Sequence, residues 1–527
     1  MIDEGSIIKD WRHVDLTFGL IYPNSYKLAN SSYTIRLLYH MINNNNRFLC
    51  ERIFLPEKIK YPAANDNLPK NLIRSLENKI LPSEFDVLGV SIHYENDFKN
   101  ILWLLDKANI PLHREERNRL QKEQDIIYPL LIAGGPVVTS NPLPLSDIFD
   151  VFFIGDSENT LIPFFDELVN WKSRDRDIKK LATNIRKLNN IYFPSITNHP
   201  RRGVLENLDN SPNPIYQTIS KTKKEGTIFE RNFFIEINRG CPFQCKFCIS
   251  SFHNNPFRNR SYANIIHLIE AAIKATVFEK ISLIGSCVSS HPKFKEICEY
   301  IIKKGKKLSI PSIRLDHITE ELISLFEKAN MNSITIAPET GSESLRFELG
   351  KKISNQKILK VATKIFHSSI RYLKLYFLLG LPYESDDDIK NIIILLKELD
   401  KIGFERGALK VNINPLIPKL NTPYGNYVNN YLNENFDNFI SRFQQVMKEI
   451  RKIRAVKLKS QYPKKLIKEA RLQTLFSLGD AQFSSVLIEY YCNGARYRDL
   501  EIAEKRLGYS AEFYLKKIQQ GYSPWII

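Results

Sequence analysis

Two successive series of short apolar runs, each run closed by turn residues and followed by a helix-length stretch, constrain this chain more than any other feature. The first series spans residues 13 to 170: VDLTFGLIYP (14–23), ERIFLP (51–56), FDVLGVSI (85–92), PLLIAGGP (129–136) and FDVFFIGD (149–156). Pro, Gly, Asp or Ser stands at or next to the end of each, where a strand turns into a loop. Strands alternating with helices predict a parallel α/β sheet. Several runs are apolar throughout, as expected when helices cover both faces. Ligands in such sheets lie beyond the carboxyl ends of the strands. That rule places Tyr22, Tyr94, Gly134, Gly135, Gly155 and Asp156 around a pocket.

The second series runs from about 230 to 425: FFIEINRG (233–240), KISLIGS (280–286), LSIPSIRL (308–315), NSITIAPET (332–340), YLKLYFLLG (372–380) and LKVNINPLIP (409–418). Amphipathic helices fill the gaps, such as SYANIIHLIEAAIKA (261–275) and DDDIKNIIILLKEL (386–399). The three carboxylates opening the latter suit a helix N-terminus. Six such repeats predict a partial barrel with its site at the carboxyl face of the strands. Between the series, 171–227 is polar and proline-punctuated and reads as a connector. Residues 429–527 read as mostly helical, with a short strand at AVKLKS. The expected units are therefore 1–170, 171–227, 228–428 and 429–527.

Seven cysteines are an odd number, and Cys241, Cys245 and Cys248 fall within eight residues, RGCPFQCKFC, directly after a predicted strand. This is a poor disulfide framework and a good metal site in a reducing compartment. Iron–sulfur clusters are held by cysteine thiolates, usually four; three would leave one iron open for chemistry. The competing readings are zinc with Cys287 or Cys298 as fourth ligand, a four-cysteine electron-transfer cluster, and free thiols. No second CxxC is present to complete a zinc knuckle. No apolar stretch reaches the ~18 residues of a membrane span, and the polar N-terminus MIDEGSIIKDWRH lacks the look of a leader, so a cytoplasmic location is expected. P-loop, HExxH and G-x-S-x-G motifs are absent.

The net charge is +17. Part of it is concentrated between Lys448 and Arg471, where ten basic residues face only Glu449 and Glu469. A solvated helix face and a polyanion contact both account for this run.

RGCPFQCKFC resembles the signature of the radical SAM superfamily, in which an open iron of a 4Fe–4S cluster chelates S-adenosylmethionine. Its reductive cleavage there yields a 5′-deoxyadenosyl radical that abstracts hydrogen. APETGSESL (337–345) is similar to the superfamily's E-x-G-S segment, GLPYES (380–385) to its G-x-P-x-E-[ST], and NPLIPKLNTPY (414–424) to a closing segment of cobalamin-dependent and methylthiolating branches. The resemblance implies three cluster ligands, Cys241, Cys245 and Cys248. It also implies SAM contacts from Phe247, Ser286, Arg314, Glu339 and Gly380. Many members carry a GGE-like turn after the second strand. This chain has GSCVSSHP (285–292), which leaves Ser286 or a backbone carbonyl for that contact. Arg314 and Asp316, which end the third strand, have a second reading, a structural ion pair across the barrel. Arg258 and Arg260 either neutralise the cofactors or tie the loop down, and Glu384 shapes its turn.

Segments YPNSY, FDVLGVSIHYENDFKNILWLLDKANIPL, LIAGGPVVTSNPLPLSDIFDVFFIGDSE and EFYLKKIQQGYSPWI extend the resemblance to a branch with a Rossmann-like, cobalamin-binding-type N-terminal domain. Cobalamin is thus an implied cofactor, although the D-x-H-x-x-G motif is absent. His93 could approach the cobalt or simply pack at its strand end. The implied reaction is cobalamin-dependent methyl transfer to an unactivated carbon. The alternatives are radical C–C bond formation, cyclisation or rearrangement without methyl transfer, as in archaeal lipid tailoring, and an RNA- or lipid-binding protein with a structural cluster. Implied partners are a small-molecule, lipid or macromolecular substrate and an electron donor such as ferredoxin or flavodoxin.

Overall fold

A computed structural model describes residues 3–59, 61, 73–174, 176–196, 199–219, 231–459 and 462–527, without the side chains of 433–435. Residues 220–227 of the predicted connector, and Ser460 and Gln461 of the basic run, lie outside the described residues.

The first series folds into a six-stranded sheet of β1 (Leu16–Ser25), β2 (Phe48–Leu55), β3 (Val87–Ser91), β4 (Leu130–Gly134), β5 (Val151–Phe153) and β6 (Ile191–Tyr192), in the order β2-β1-β3-β4-β5-β6. The first five are parallel and β6 is antiparallel. The apolar runs follow from burial on both sides. Leu16, Phe18, Val87, Leu130, Ile132 and Val151 pack with Ile35, Tyr39 and Phe165 on one face. Leu49, Leu88, Leu131 and Phe152 pack with Phe98, Ile101 and Leu102 on the other. Alternate side chains of one strand thus serve two cores, each buried Leu, Ile or Phe stabilising by about 1.5–3 kcal/mol. The predicted connector is not separate from this domain. Its residues 191–192 form the edge strand, and helix Leu161–Lys172 crosses the expected boundary at 170.

The second series begins with β7 (Asn232–Glu236), followed by the short antiparallel pair β8 (Asn238–Arg239) and β9 (Arg258–Asn259). Then come β10 (Lys280–Ile284), β11 (Lys307–Ser309), β12 (Ser333–Glu339), β13 (Tyr372–Leu379), β14 (Leu409–Pro415) and β15 (Val456–Leu458). They form two parallel sheets, β11-β10-β7 and β12-β13-β14-β15. At the seam between them Ile313 N–H donates to Thr335 O at 3.1 Å. The expected strand LSIPSIRL shrinks to three residues, because Pro311 has no N–H for the ladder. The strand expected at AVKLKS is present as β15 and lengthens the barrel.

Helices cover only the outer side. Leu373, Leu375, Phe377, Leu409 and Val411 join one core with Ile358, Val361, Ile392 and Leu396 of helices Asn355–Phe366 and Asp386–Lys401. The opposite face of β13 and β14, with Lys374, Tyr376, Lys410 and Asn412, is left open and forms the inner wall. The C-terminal part is helical as expected: Asn433–Ile450, Pro463–Leu478, Gln482–Cys492, Tyr497–Leu507 and Ala511–Gln519. It grips the first domain, with Gln473 donating to Glu95 at 2.8 Å and Tyr491 to Asp106 at 3.0 Å. Among the described residues no helix is long and apolar enough to cross a membrane.

Candidate active site

The cysteine loop joins β8 to β9, whose pairing of Asn238 with Asn259 and Arg239 with Arg258 clamps its two ends. Further ties come from the segments that follow β12 and β14. Lys246 N–H donates to Leu349 O and Tyr424 N–H to Lys246 O, both at 3.1 Å. Cys245 is buried, while Cys241 and Cys248 are half-buried. Burial raises the Cys245 thiol, and the nearby cations of Lys351 and Arg314 work against that rise. Cys241 is raised first by a hydrogen bond with Cys287 and then by burial. Cys248 acts electrostatically on both other thiols.

Among the described residues no three Cys, His, Asp or Glu side chains already stand at metal-ligand spacing. The loop nevertheless holds the three thiols close enough to act electrostatically on one another, with the cations of Lys351 and Arg314 beside Cys245. The donor set fits a cluster bound by three cysteines. Cys298 is excluded as a ligand, since it is fully buried in the core on helix Phe294–Lys303. Cys287 lies beside Cys241 and is the one remaining candidate from the zinc reading.

Of the residues expected to meet SAM, Ser286, Glu339 and Gly380 lie at the carboxyl ends of barrel strands, whereas Phe247 lies in the cysteine loop and Arg314 in the loop after β11. Glu339 ends β12 with φ +67°, a conformation rare for a residue other than glycine, and its carboxylate pairs with Lys351. Lys351 also donates to Ala337 O at 3.0 Å. Arg314 is paired with Asp316, two residues along the same loop, at 2.8 Å and lies 3.4 Å over the Phe243 ring, a local pair and not one across the barrel. Phe247 packs against Leu345, Leu349, Leu381, Leu416 and Tyr424, forming an apolar wall. Gly380 N–H donates to Glu384 at 2.7 Å. Gly341 of the E-x-G-S segment has a packing reason: a Cβ there would lie 2.1 Å from the Asn391 backbone of helix Asp386–Lys401.

Glu384 shapes its turn as expected, and burial pushes its carboxyl up to about 8. A raised carboxyl means that the folded state binds the proton more tightly than the unfolded state. Its stabilising effect is therefore full at acid pH and lost as pH rises through 8. Glu384→Gln is expected to leave stability nearly unchanged at pH 5 and to raise it by on the order of 2 kcal/mol at pH 9. Thermal denaturation at both pH values checks this.

A cavity of about 400 Å³ lies between the carboxyl ends of the first sheet and the barrel mouth. Gly134, Gly135, Gly155 and Asp156 line it from one side, and Glu236, Asn238, Arg239 and Ser286 from the other. Ser286 thus faces this cavity. Phe18, Leu20, Leu37 and Ile132 make its floor apolar. Two expected residues are not in its lining. Tyr22 stands behind His93, ring centroids 5.8 Å apart, and Tyr94 is turned outward to Asn96. Asp156 lines the cavity as expected, but its carboxylate is engaged by protein. Its oxygens are taken by Arg239 at 2.9 Å, Arg258 at 2.7 Å and the Leu205 N–H at 2.9 Å, so it ties the domains together. Gly135 is required by the chain itself, since with φ +109° a Cβ would meet the Ile92 carbonyl at 2.6 Å.

Arg258 and Arg260 are tie residues too. The first also reaches Leu205 O at 2.6 Å, and the second binds Glu236 O at 2.8 Å and Ser211 O at 3.1 Å. His93 opens onto the cavity with its side chain exposed there, and the protein mass around it brings its pKa down to about 4. Its Nε2 is 3.0 Å from Ser91 Oγ. Lys351 is the site residue with no sequence signal, because it lies in a loop whose position only the fold supplies.

A parallel α/β domain beside a partial barrel, with a three-cysteine loop at the carboxyl ends of the barrel strands, defines a class of cofactor-dependent enzymes. Family models described as "Radical SAM proteins, N-terminal" and "Radical SAM superfamily" match residues 34–194 and 235–396. The chain belongs to the radical SAM superfamily and is an enzyme of it. An uncharacterized protein of Methanocaldococcus jannaschii is 27% identical over 77% of this chain and 78% of its own length. An uncharacterized methyltransferase of Pyrococcus horikoshii is 25% identical over 51% of this chain and 58% of its own length. Among solved structures, the radical S-adenosylmethionine methyltransferase TsrM from Kitasatospora setae, with cobalamin and a [4Fe-4S] cluster bound, shares the fold. Its TM-score is 0.52 at 14% identity, covering 78% of this chain and 77% of that one.

Proposed function

We propose that the chain cleaves S-adenosylmethionine reductively at a 4Fe–4S cluster held by Cys241, Cys245 and Cys248, and performs cobalamin-dependent methyl transfer to an unactivated carbon. The observation that carries this reading is the cavity between the two α/β units, walled by both the first sheet and the barrel mouth next to the cysteine loop. When bound, the cluster with SAM supplies a carbon-centred radical and cobalamin supplies a transferable methyl group, chemistry that no side chain here provides.

The chain's own part is placement and shielding. Lys351 and Arg314 put positive charge beside Cys245 and favour its thiolate. Lys351 fixes the Glu339 carboxylate at the strand end, where it can orient an ammonium group. Phe247 with Leu381 and Leu416 closes an apolar wall that keeps water from a reactive carbon. The apolar floor of Phe18, Leu20 and Leu37 suits a flat organic ring, and His93, held neutral, offers a nitrogen lone pair at the same cavity. The kinship of fold with TsrM, whose structure contains both cofactors, supports the assignment.

Anaerobic reconstitution with iron, sulfide and hydroxocobalamin, followed by reduction with SAM, tests it. The expected result is retained cobalamin with 5′-deoxyadenosine and S-adenosylhomocysteine among the products. 5′-Deoxyadenosine without S-adenosylhomocysteine would favour radical chemistry without methyl transfer.

A further inference from the structure

Strands β13, β14 and β15 set three lysines side by side: Lys374 is the register partner of Lys410, and Lys410 of Lys457. Thr335 of β12 extends the row on the other side. Neighbouring strands are about 4.8 Å apart, and like charges directly opposite one another are destabilising. The outer-face neighbours Leu373, Leu375, Leu409 and Val411 are fully buried, so alternation puts the row on the inner wall of the barrel. Lys459 joins it, held by its N–H to Val411 O at 2.8 Å. Lys410 rests 3.3 Å over the Tyr372 ring and is lowered by burial and then by Lys459 and Lys457. Among the described residues none of these four ammonium groups has an ion pair or hydrogen bond.

A second, independent observation lies beside the row. A cavity of about 630 Å³ opens at the seam of β11 and β12, lined by Lys280, Ser309, Asn332, Thr335 and Lys374. Lys374 of the row thus borders this cavity, Lys410 beside it is half-buried, and Lys457 and Lys459 are exposed. Lys457 and Lys459 come from the basic run at 448–471, whereas Arg471 of that run is buried over Phe436. Only part of the run thus bears on the barrel.

We propose that the Lys374–Lys410–Lys457 row anchors the phosphate group of the substrate inside the barrel. This deepens the radical SAM reading and rests on it. An anion between the three ammonium groups removes a repulsion that no ion pair among the described residues offsets, and charge-assisted hydrogen bonds are the strong ones. Four residues along β13 from Lys374, Leu378 packs against the Phe247 wall. At ~3.3 Å per residue this separates the row from the cysteine-loop mouth by about 13 Å. The substrate is accordingly elongated, with its phosphate at one end and the reacting carbon at the other. A soluble phosphate ester and a phospholipid headgroup share this chemistry.

The test uses the full chain with inorganic pyrophosphate as probe, read by calorimetry and thermal denaturation. Pyrophosphate is expected to raise the Tm of the wild type. The double variant Lys374→Gln/Lys410→Gln is expected to bind it at least tenfold more weakly. Without pyrophosphate its Tm is expected to exceed that of the wild type, because the repulsion is gone. A lower Tm, an unchanged affinity, or binding of single-stranded RNA with no response to pyrophosphate would overturn the proposal. Flotation with phosphatidylglycerol vesicles, lost in the double variant, identifies a lipid headgroup; pyrophosphate binding without flotation identifies a soluble ester. The binding assay needs no SAM, so its failure is distinguishable from failure of the radical reading.

Discussion

Replacing Cys245 by alanine is expected to abolish reductive SAM cleavage, a loss on the order of 10³-fold or more, because a cluster cannot be held by two thiolates of this loop. Cys245 is the most buried of the three, and its backbone carbonyl accepts from Cys248 N–H at 3.0 Å to form the tight turn. Iron content and 5′-deoxyadenosine yield after identical reconstitution measure the effect. Two controls separate chemistry from folding. Cys298→Ala removes a thiol from the packed core, so it is expected to lower stability by about 1 kcal/mol while leaving cleavage intact. Cys287→Ala addresses the zinc reading. Retained cleavage there means that the fourth position is not a protein thiol, and lost iron would mean that it is.

Arg239→Met is expected to destabilise the protein by about 3–5 kcal/mol. The guanidinium binds Asp156 at 2.9 Å, Glu158 at 2.7 Å and Glu236 at 2.8 Å, all with little exposure. Asp156 and Glu158 belong to the first domain and Glu236 to the barrel's first strand, so this residue joins the two units. Burial alone would raise the Asp156 carboxyl; Arg239, the Leu205 N–H and Arg258 outweigh it and hold the group below its usual value. The associated stability is present at neutral pH and falls as pH drops through that lowered value. Calorimetry is expected to show a lower Tm for Arg239→Met, with the gap to wild type narrowing in acid. A gap that stays constant with pH would contradict the electrostatic account.

The strands were legible because both-face burial writes itself into the sequence as unbroken apolar runs, as in VLGVS and LLIAG. The cysteine loop was legible because its spacing is local. What escaped detection depends on contacts between distant segments. Lys351 meets Glu339 only because the short helix Glu343–Glu348 folds the chain back after β12, and Asp156 is claimed by Arg239 and Arg258 from the neighbouring unit. A strand-end rule places Tyr94 at the pocket, but it does not encode which way the side chain turns; this one faces Asn96. The edge strand Ile191–Tyr192 was invisible for a related reason: two residues carry no period. The lysine row is the clearest case, since Lys374, Lys410 and Lys457 become neighbours only once the register of three strands is set.

The most direct measurement of the central claim is 5′-deoxyadenosine formation from SAM by anaerobically reconstituted, reduced protein. The account predicts its formation in the wild type, in proportion to bound iron, and none in Cys245→Ala. A wild-type protein that carries the full complement of iron and sulfide yet never cleaves SAM under reduction would contradict it.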